Sequence, residues 1–222
     1  MRLLDCFDSV YVINLDSRPD RMMNFRESMR SLGLLDHEID EKIIRFPGVI
    51  PPSGAGPLGC TLSHLEIVRD AKKRGYEKIL IFEDDAQPFV DGLPYFNDVI
   101  DDILTQEWDV YYLGYNSHSN LNLHSKNSLV ARDLFSTHAI AYRSSFFDRF
   151  IDDHRHDRIK LFDVWISETV QTSMKCLASY PMLFIQQESY SDIEKKNVNY
   201  GIQIERYQNY TSHLPRPFKK ED

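Results

Sequence analysis

Apolar positions fall into short continuous runs that alternate with helical stripes. Residues 9–15 (SVYVINL) form a β-branched and aromatic run ending in a polar stretch over 14–17, the pattern of a buried strand meeting a loop. Met22, Phe25, Met29 and Leu32 then recur at spacings of 3, 4 and 3, which predicts a helix. Pro19 suits its first turn, Asp16 or Ser17 is placed to cap it, and Gly33 stops it. A short strand is expected over 42–46. Residues 51–59 (PPSGAGPLG) hold three prolines and three glycines, a composition that forbids regular structure and marks a shaped loop. From Leu58 the pattern is helical again, with Leu62, Leu65 and Val68 on one stripe up to Gly75 and Asp70 placed to meet Lys73 or Arg74.

Residues 78–82 (KILIF) form the clearest central strand, and they run directly into Glu83, Asp84 and Asp85. Helices are expected over 93–104, 144–152 and 162–172, and strands over 110–113, 128–130 and 135–142. A last strand is expected at 176–179 or 182–185. Strands alternating with helices argue for an α/β fold with a mainly parallel sheet covered on both faces, more mixed in the second half. Residues 1–212 read as one domain, followed by a tail over 213–222 with the composition of a frayed end.

The 222 residues, 42% of them hydrophobic, suffice for one core of ordinary size. A formal charge of −8 argues against nucleic acid as a partner. No apolar run approaches the roughly 20 residues needed to span a bilayer, so no integral membrane segment is expected. The opening MRLLDCFDSV does not fit a secretory signal, and Cys6, Cys60 and Cys176 do not form a disulfide framework. A cytoplasmic setting is the default; peripheral attachment to a membrane and homo-oligomerisation are both compatible with the sequence.

In an open α/β sheet ligands collect at the carboxyl ends of the strands, so three acids just after KILIF stand where a site is expected. Adjacent carboxylates raise one another's pKa when desolvated, and hard oxygen ligands of this kind suit Mg2+ or Mn2+. A solvated acidic loop is the alternative. Gly54, Gly56 and Gly59 spell GxGxxG before a helix, as in a dinucleotide-binding oxidoreductase, although Pro51 and Pro52 intervene between strand and glycines. Cys60 and His64, four apart on the same helix, read as a small buried hydrophobe and a structural hydrogen-bonder, or less readily as a catalytic pair.

Taken in order, VINLDSRPDR (12–21), GPLGCTLSH (56–64), ILIFEDD (79–85) and WDVYYLG (108–114) resemble glycosyltransferase family 25. The resemblance implies a GT-A-like sandwich and a metal-dependent, inverting transfer of a hexose, galactose being favoured. The donor would be a UDP-sugar, and the acceptor a hydroxyl of a glycan, lipid-linked or protein-linked substrate. It places Mn2+ (or Mg2+) at Glu83, Asp84 and Asp85, with Asp85 foremost. Asn14, Asp16, Arg18, Arg21, Gly59, Ser63, His64, Glu83, Asp84 and Gln187 fall on the donor side, with Ser191 and Asp192 also near donor or metal. His138 falls on the acceptor side. Asp163 is implied as the base, with Glu168 in reserve, the alternative for Asp163 being a helix cap. A catalytically silent nucleotide-sugar-binding module is the further alternative.

Overall fold

A computed structural model describes residues 3–155, 159–187, 189–191, 196–198 and 201–215. The chain runs through β1 (Ser9–Asn14), α1 (Pro19–Ser31), α2 (Asp36–Lys42), β2 (Ile43–Pro47), α3 (Gly56–Arg74) and β3 (Lys78–Glu83). It continues through β4 (Ala86–Pro88), α4 (Phe96–Thr105), β5 (Val110–Ser117), β6 (Asn122–Leu123), β7 (Ser128–Val130), β8 (Leu134–Arg143) and α5 (Ser144–Asp153). Then α6 (Phe162–Trp165), a π-helical turn (Ile166–Val170) and α7 (Gln171–Ser173) make one interrupted helix. After it come β9 (Cys176–Ser179), β10 (Phe184–Gln186), β11 (Ser189–Ser191), β12 (Lys196–Val198) and α8 (Gly201–Thr211).

The main sheet has eight strands in the order β2-β1-β3-β8-β5-β9-β7-β6. Strands β8 and β7 run against the other six, so the sheet is mixed and mostly unidirectional. Successive side chains of a strand point to opposite faces, and both faces are buried. Ile79 and Ile81 of β3 enter one core with Leu65 and Val68 of α3, Phe150 of α5 and Trp165 of α6. Leu80 and Phe82 enter the other core with Phe25 and Met29 of α1 and Ile100 of α4. This double burial is why KILIF is a continuous apolar run. Among the described residues no helix is long and apolar enough to cross a membrane.

Several local expectations shift. The loop expected over 51–59 ends at Ala55, and GPLG is the first turn of α3, where Pro57 has no needed N–H to lose. Neither Asp16 nor Ser17 caps α1: its N-cap is Arg18, whose carbonyl accepts from Asn14 Nδ2. The helix expected over 93–104 starts at Phe96, because Pro94 sits in a preceding 3-10 turn (Val90–Tyr95). Both alternatives for the last strand exist, as β9 and β10. Helices α2 and α8 escape the apolar pattern. Only Ile39 of α2 is buried, and α8 faces inward with Gln203, Tyr207 and Thr211. The expected tail is held at its start, where Tyr180 donates to the Pro215 carbonyl at 3.0 Å.

Across β8, β5 and β10 the backbone comes unusually close to one ring. His138 is wholly buried with Nε2 3.2 Å from the Phe184 carbonyl, and a Cβ on Gly114 would meet that nitrogen at 2.1 Å. Burial pushes the His138 pKa down to about 4, so the folded protein holds it neutral. An unfolded chain protonates it below about pH 6.5, so its stabilisation is complete above that pH and is lost as pH falls toward 4. Between pH 7 and pH 4.5 the loss should be on the order of 2–3 kcal/mol in urea denaturation. A His138→Gln variant should lose correspondingly less on acidification, and equal losses in both proteins would refute the assignment.

Candidate active site

Parallel β1, β2 and β3 end at one edge of the sheet, and a cleft of about 250 Å³ opens there. Its walls are the end of β1, the 48–51 segment after β2, the first turns of α3 and the three acids at the end of β3. Arg21, Gly59, Ser63, Glu83, Asp84 and Asp85, all expected from sequence, line this cleft together.

The three acids diverge. Asp84 accepts from Asn14 Nδ2 at 2.7 Å and from Arg21 Nη1 at 2.9 Å, so each of its oxygens has a partner. Burial raises its carboxyl, and Arg21 and Asn14 offset only part of that. Asp85 is buried and has one oxygen, Oδ1, with no hydrogen-bond partner among the described residues; its other oxygen accepts from Gln186 at 3.3 Å. Burial first, then the neighbouring Glu83 and Asp84 charges, push Asp85 up to about 7. Glu83 turns toward α3 and β8: Thr137 donates to its Oε1 at 2.7 Å, and His64 Nε2 lies 3.7 Å away. Burial raises the Glu83 carboxyl, but the His64 and Thr137 contacts outweigh it and leave it below the usual range.

Gly59 and Ser63 reach the cleft by shaping it. Ser63 Oγ donates to the Gly59 carbonyl at 2.7 Å and accepts from the Val49 N–H at 2.9 Å, which ties the 48–51 wall to α3. A Cβ on Gly59 would meet the Val49 carbonyl at 2.5 Å, so only glycine permits that approach. Asp16 is exposed and pairs with Arg45 at 2.6 Å, in a separate hollow with Asn14. Arg18 pairs with Asp20. Gln187 touches the site through its backbone, its N–H donating to the Asp85 carbonyl at 2.7 Å. Ser191 lies on β11, and Asp192 lies outside the described residues.

Asp163 stands in the first turn of α6, half-buried, with its carboxylate accepting from the Val164 N–H at 2.8 Å. Burial raises its pKa, with the Val164 bond opposing and Glu83 reinforcing. The Thr61 hydroxyl, 3.1 Å from the Lys160 carbonyl, ties the approach to α6 onto α3. Neither Asp163 nor Glu168 is among the residues that line the cleft, and Glu168 is exposed on the π-helical turn. Sequence reasoning missed Gln186, Thr137 and the 48–51 wall. The pairing of Gln186 with Ala86 across β10 and β4 puts Gln186 beside Asp85, a register set by tertiary contact.

Arg21 is the charged partner of a buried carboxylate, so Arg21→Met should destabilise the fold by about 3 kcal/mol in urea denaturation. Adding Asp84→Asn should recover part of that loss, and simple additivity of the two changes would sink the pairing.

Residues 52–177 match the family described as "Glycosyltransferase family 25 (LPS biosynthesis protein)". A stretch of 130 residues is 31% identical to a Rattus norvegicus protein named "Probable inactive glycosyltransferase 25 family member 3", covering 49% of this chain and 23% of that protein. The Homo sapiens "Inactive glycosyltransferase 25 family member 3" is 30% identical over 129 residues, covering 49% and 22%. The chain thus spans about a quarter of the length of these relatives. Among solved structures, a glycosyltransferase involved in the glycosylation of the major capsid of PBCV-1 superposes with a TM-score of 0.51 at 10% identity, over 84% of this chain and 95% of that one. That likeness is one of fold, a GT-A-like α/β sandwich. With more than half of its length matching the family description, the chain belongs to glycosyltransferase family 25.

Proposed function

We propose that the chain is a metal-dependent, inverting hexosyltransferase that moves a sugar, galactose being favoured, from a UDP-sugar to a hydroxyl of a glycan, lipid-linked or protein-linked acceptor. The observation that carries this reading is Asp85: a buried carboxylate in the cleft, crowded by two other acids, with an oxygen that has no hydrogen-bond partner among the described residues. Such a group fits a divalent cation, since a positive charge would relieve both the desolvation and the repulsion. Asp85 would hold the ion, with Asp84 fixed beside it by Arg21 and Asn14. The ion, when bound, neutralises charge developing on the departing diphosphate.

The other steps belong to the chain itself. Arg21 offers positive charge at the cleft wall, and the 48–51 segment, latched by Ser63, shapes the pocket for the nucleotide. Asp163 takes the proton from the acceptor hydroxyl as base. Its raised pKa brings it closer to the working pH, where a base is most effective. Because the carboxylate form is the base, transfer should fall as pH drops below that raised pKa.

UDP-galactose with Mn2+ should raise the thermal midpoint, Asp85→Ala should abolish the metal-dependent part of the shift, and EDTA should stop transfer. Full activity in EDTA would exclude the metal role. Asp163→Asn should keep donor binding and lose transfer by about 10²–10⁴-fold, and normal turnover would exclude it as base. The word "inactive" in the relatives' names favours a second reading, a silent nucleotide-sugar-binding module. It predicts the same Mn2+-dependent shift with no turnover on any acceptor.

A further inference from the structure

On the α3 side of the cleft three side chains of different chemistry converge. Cys60 Sγ, His64 Nε2 and a Glu83 carboxylate oxygen all lie within 4.8 Å of one another. Cys60 Sγ is 3.8 Å and His64 Nε2 is 3.7 Å from Glu83 Oε1. For the nitrogen, 3.7 Å is too long for a hydrogen bond, and His64 Nε2, wholly buried, has no hydrogen-bond partner among the described residues. Around a tetrahedral zinc with bonds of roughly 2.0–2.3 Å a nitrogen and an oxygen ligand stand about 3.3–3.4 Å apart and a sulfur and an oxygen about 3.5–3.6 Å, so both pairs need close by only a few tenths of an ångström to bind one ion.

The surroundings hold these ligands in place. Tyr142 OH lies 3.2 Å from His64 Nδ1; in the tautomer a metal at Nε2 would select, Nδ1 carries the proton and donates it to Tyr142, leaving the Nε2 lone pair to the ion. Phe162 packs on the same ring at 4.7 Å between centroids. Thr137 donates to Glu83 Oε1. Cys60 and Glu83 line the cleft, so a fourth position faces it.

The geometry points to a zinc-binding site made by Cys60, His64 and Glu83, with its fourth position open to the cleft for water or an anionic oxygen of a ligand. A thiol and an imidazole select a thiophilic ion over Mg2+ or Mn2+, so this ligand set differs in kind from Asp85. Binding converts the Cys60 thiol to a metal-bound thiolate and releases its proton to solvent. The site stands independently of sugar transfer.

Cobalt titration of the metal-free protein in a non-thiol reductant tests it. One Co2+ per chain should give tetrahedral visible bands and a thiolate-to-cobalt charge-transfer band, distinct from the weak absorption of a six-coordinate Co2+ held at Asp85, and Zn2+ should displace it. Cys60→Ser should abolish the charge-transfer band, Tyr142→Phe should keep it while weakening affinity by about 10–100-fold, and Asp85→Ala should leave it unchanged. Absence of the band in the wild type at saturating cobalt would overturn the site. So would its persistence in folded Cys60→Ser, which would implicate Cys6 or Cys176. Zinc-edge X-ray absorption on the wild type needs no variant: one sulfur among four ligands supports the site, and an all-oxygen shell overturns it.

Discussion

Desolvation of three adjacent carboxylates at the end of β3 sets the conditions that the rest of the site has to meet. The acids leaving this strand are drawn out of water, Asp84 and Asp85 buried and Glu83 partly so, and each needs its own form of compensation. Arg21 and Asn14 compensate Asp84, which fixes α1 against the end of β1. Thr137 and the Cys60–His64 pair face Glu83, which couples β8 and α3 to the same edge. Asp85 is left with the least, one side-chain bond from Gln186 and a bare oxygen. The place where compensation runs out is the place where a ligand has most to gain.

The scaffold makes this imbalance tolerable. Alternate residues of β3 feed two separate cores, so the strand that delivers the acids is anchored from both sides. Helix α3 enters the cleft with Gly59 against the Val49 carbonyl, an approach that lets the 48–51 segment close one wall. Ser63, a polar residue on an otherwise core-facing stretch, latches that wall. Residues that read as ligand contacts in a linear motif therefore serve the ligand by shaping the backbone around it.

Much of the fold was legible because local patterns carried it. KILIF had to be central, since a run without polar alternation has no face to give to water, and it lies between β1 and β8. The acids at its end could be placed at a site from the position of the strand, and Arg21, Gly59 and Ser63 joined them through the resemblance to the family. What stayed hidden depended on contacts between distant segments. Helix α8 buries Gln203, whose amide donates to the Tyr115 carbonyl and whose oxygen accepts from the Gln186 N–H, and Thr211 beside the core residue Tyr207, so its inward stripe mixes polar and aromatic positions and shows no clean apolar period. The aim of Arg18 at Asp20 and of Asp16 at Arg45 likewise follows from which partner the folded chain puts within reach.

The sequence by itself determined the alternation of strands and helices, the identity of the central strand and the position of the acidic cluster, because these depend on periodicities of two and 3.6 and on residues adjacent in the chain. Only the tertiary structure decided that the three acids face three different sets of partners, that Gln186 rather than the Gln187 side chain meets Asp85, and that Cys60 and His64 meet Glu83. Those outcomes turn on the register of β10 against β4 and on the seating of α3 against the sheet, and no local pattern encodes either.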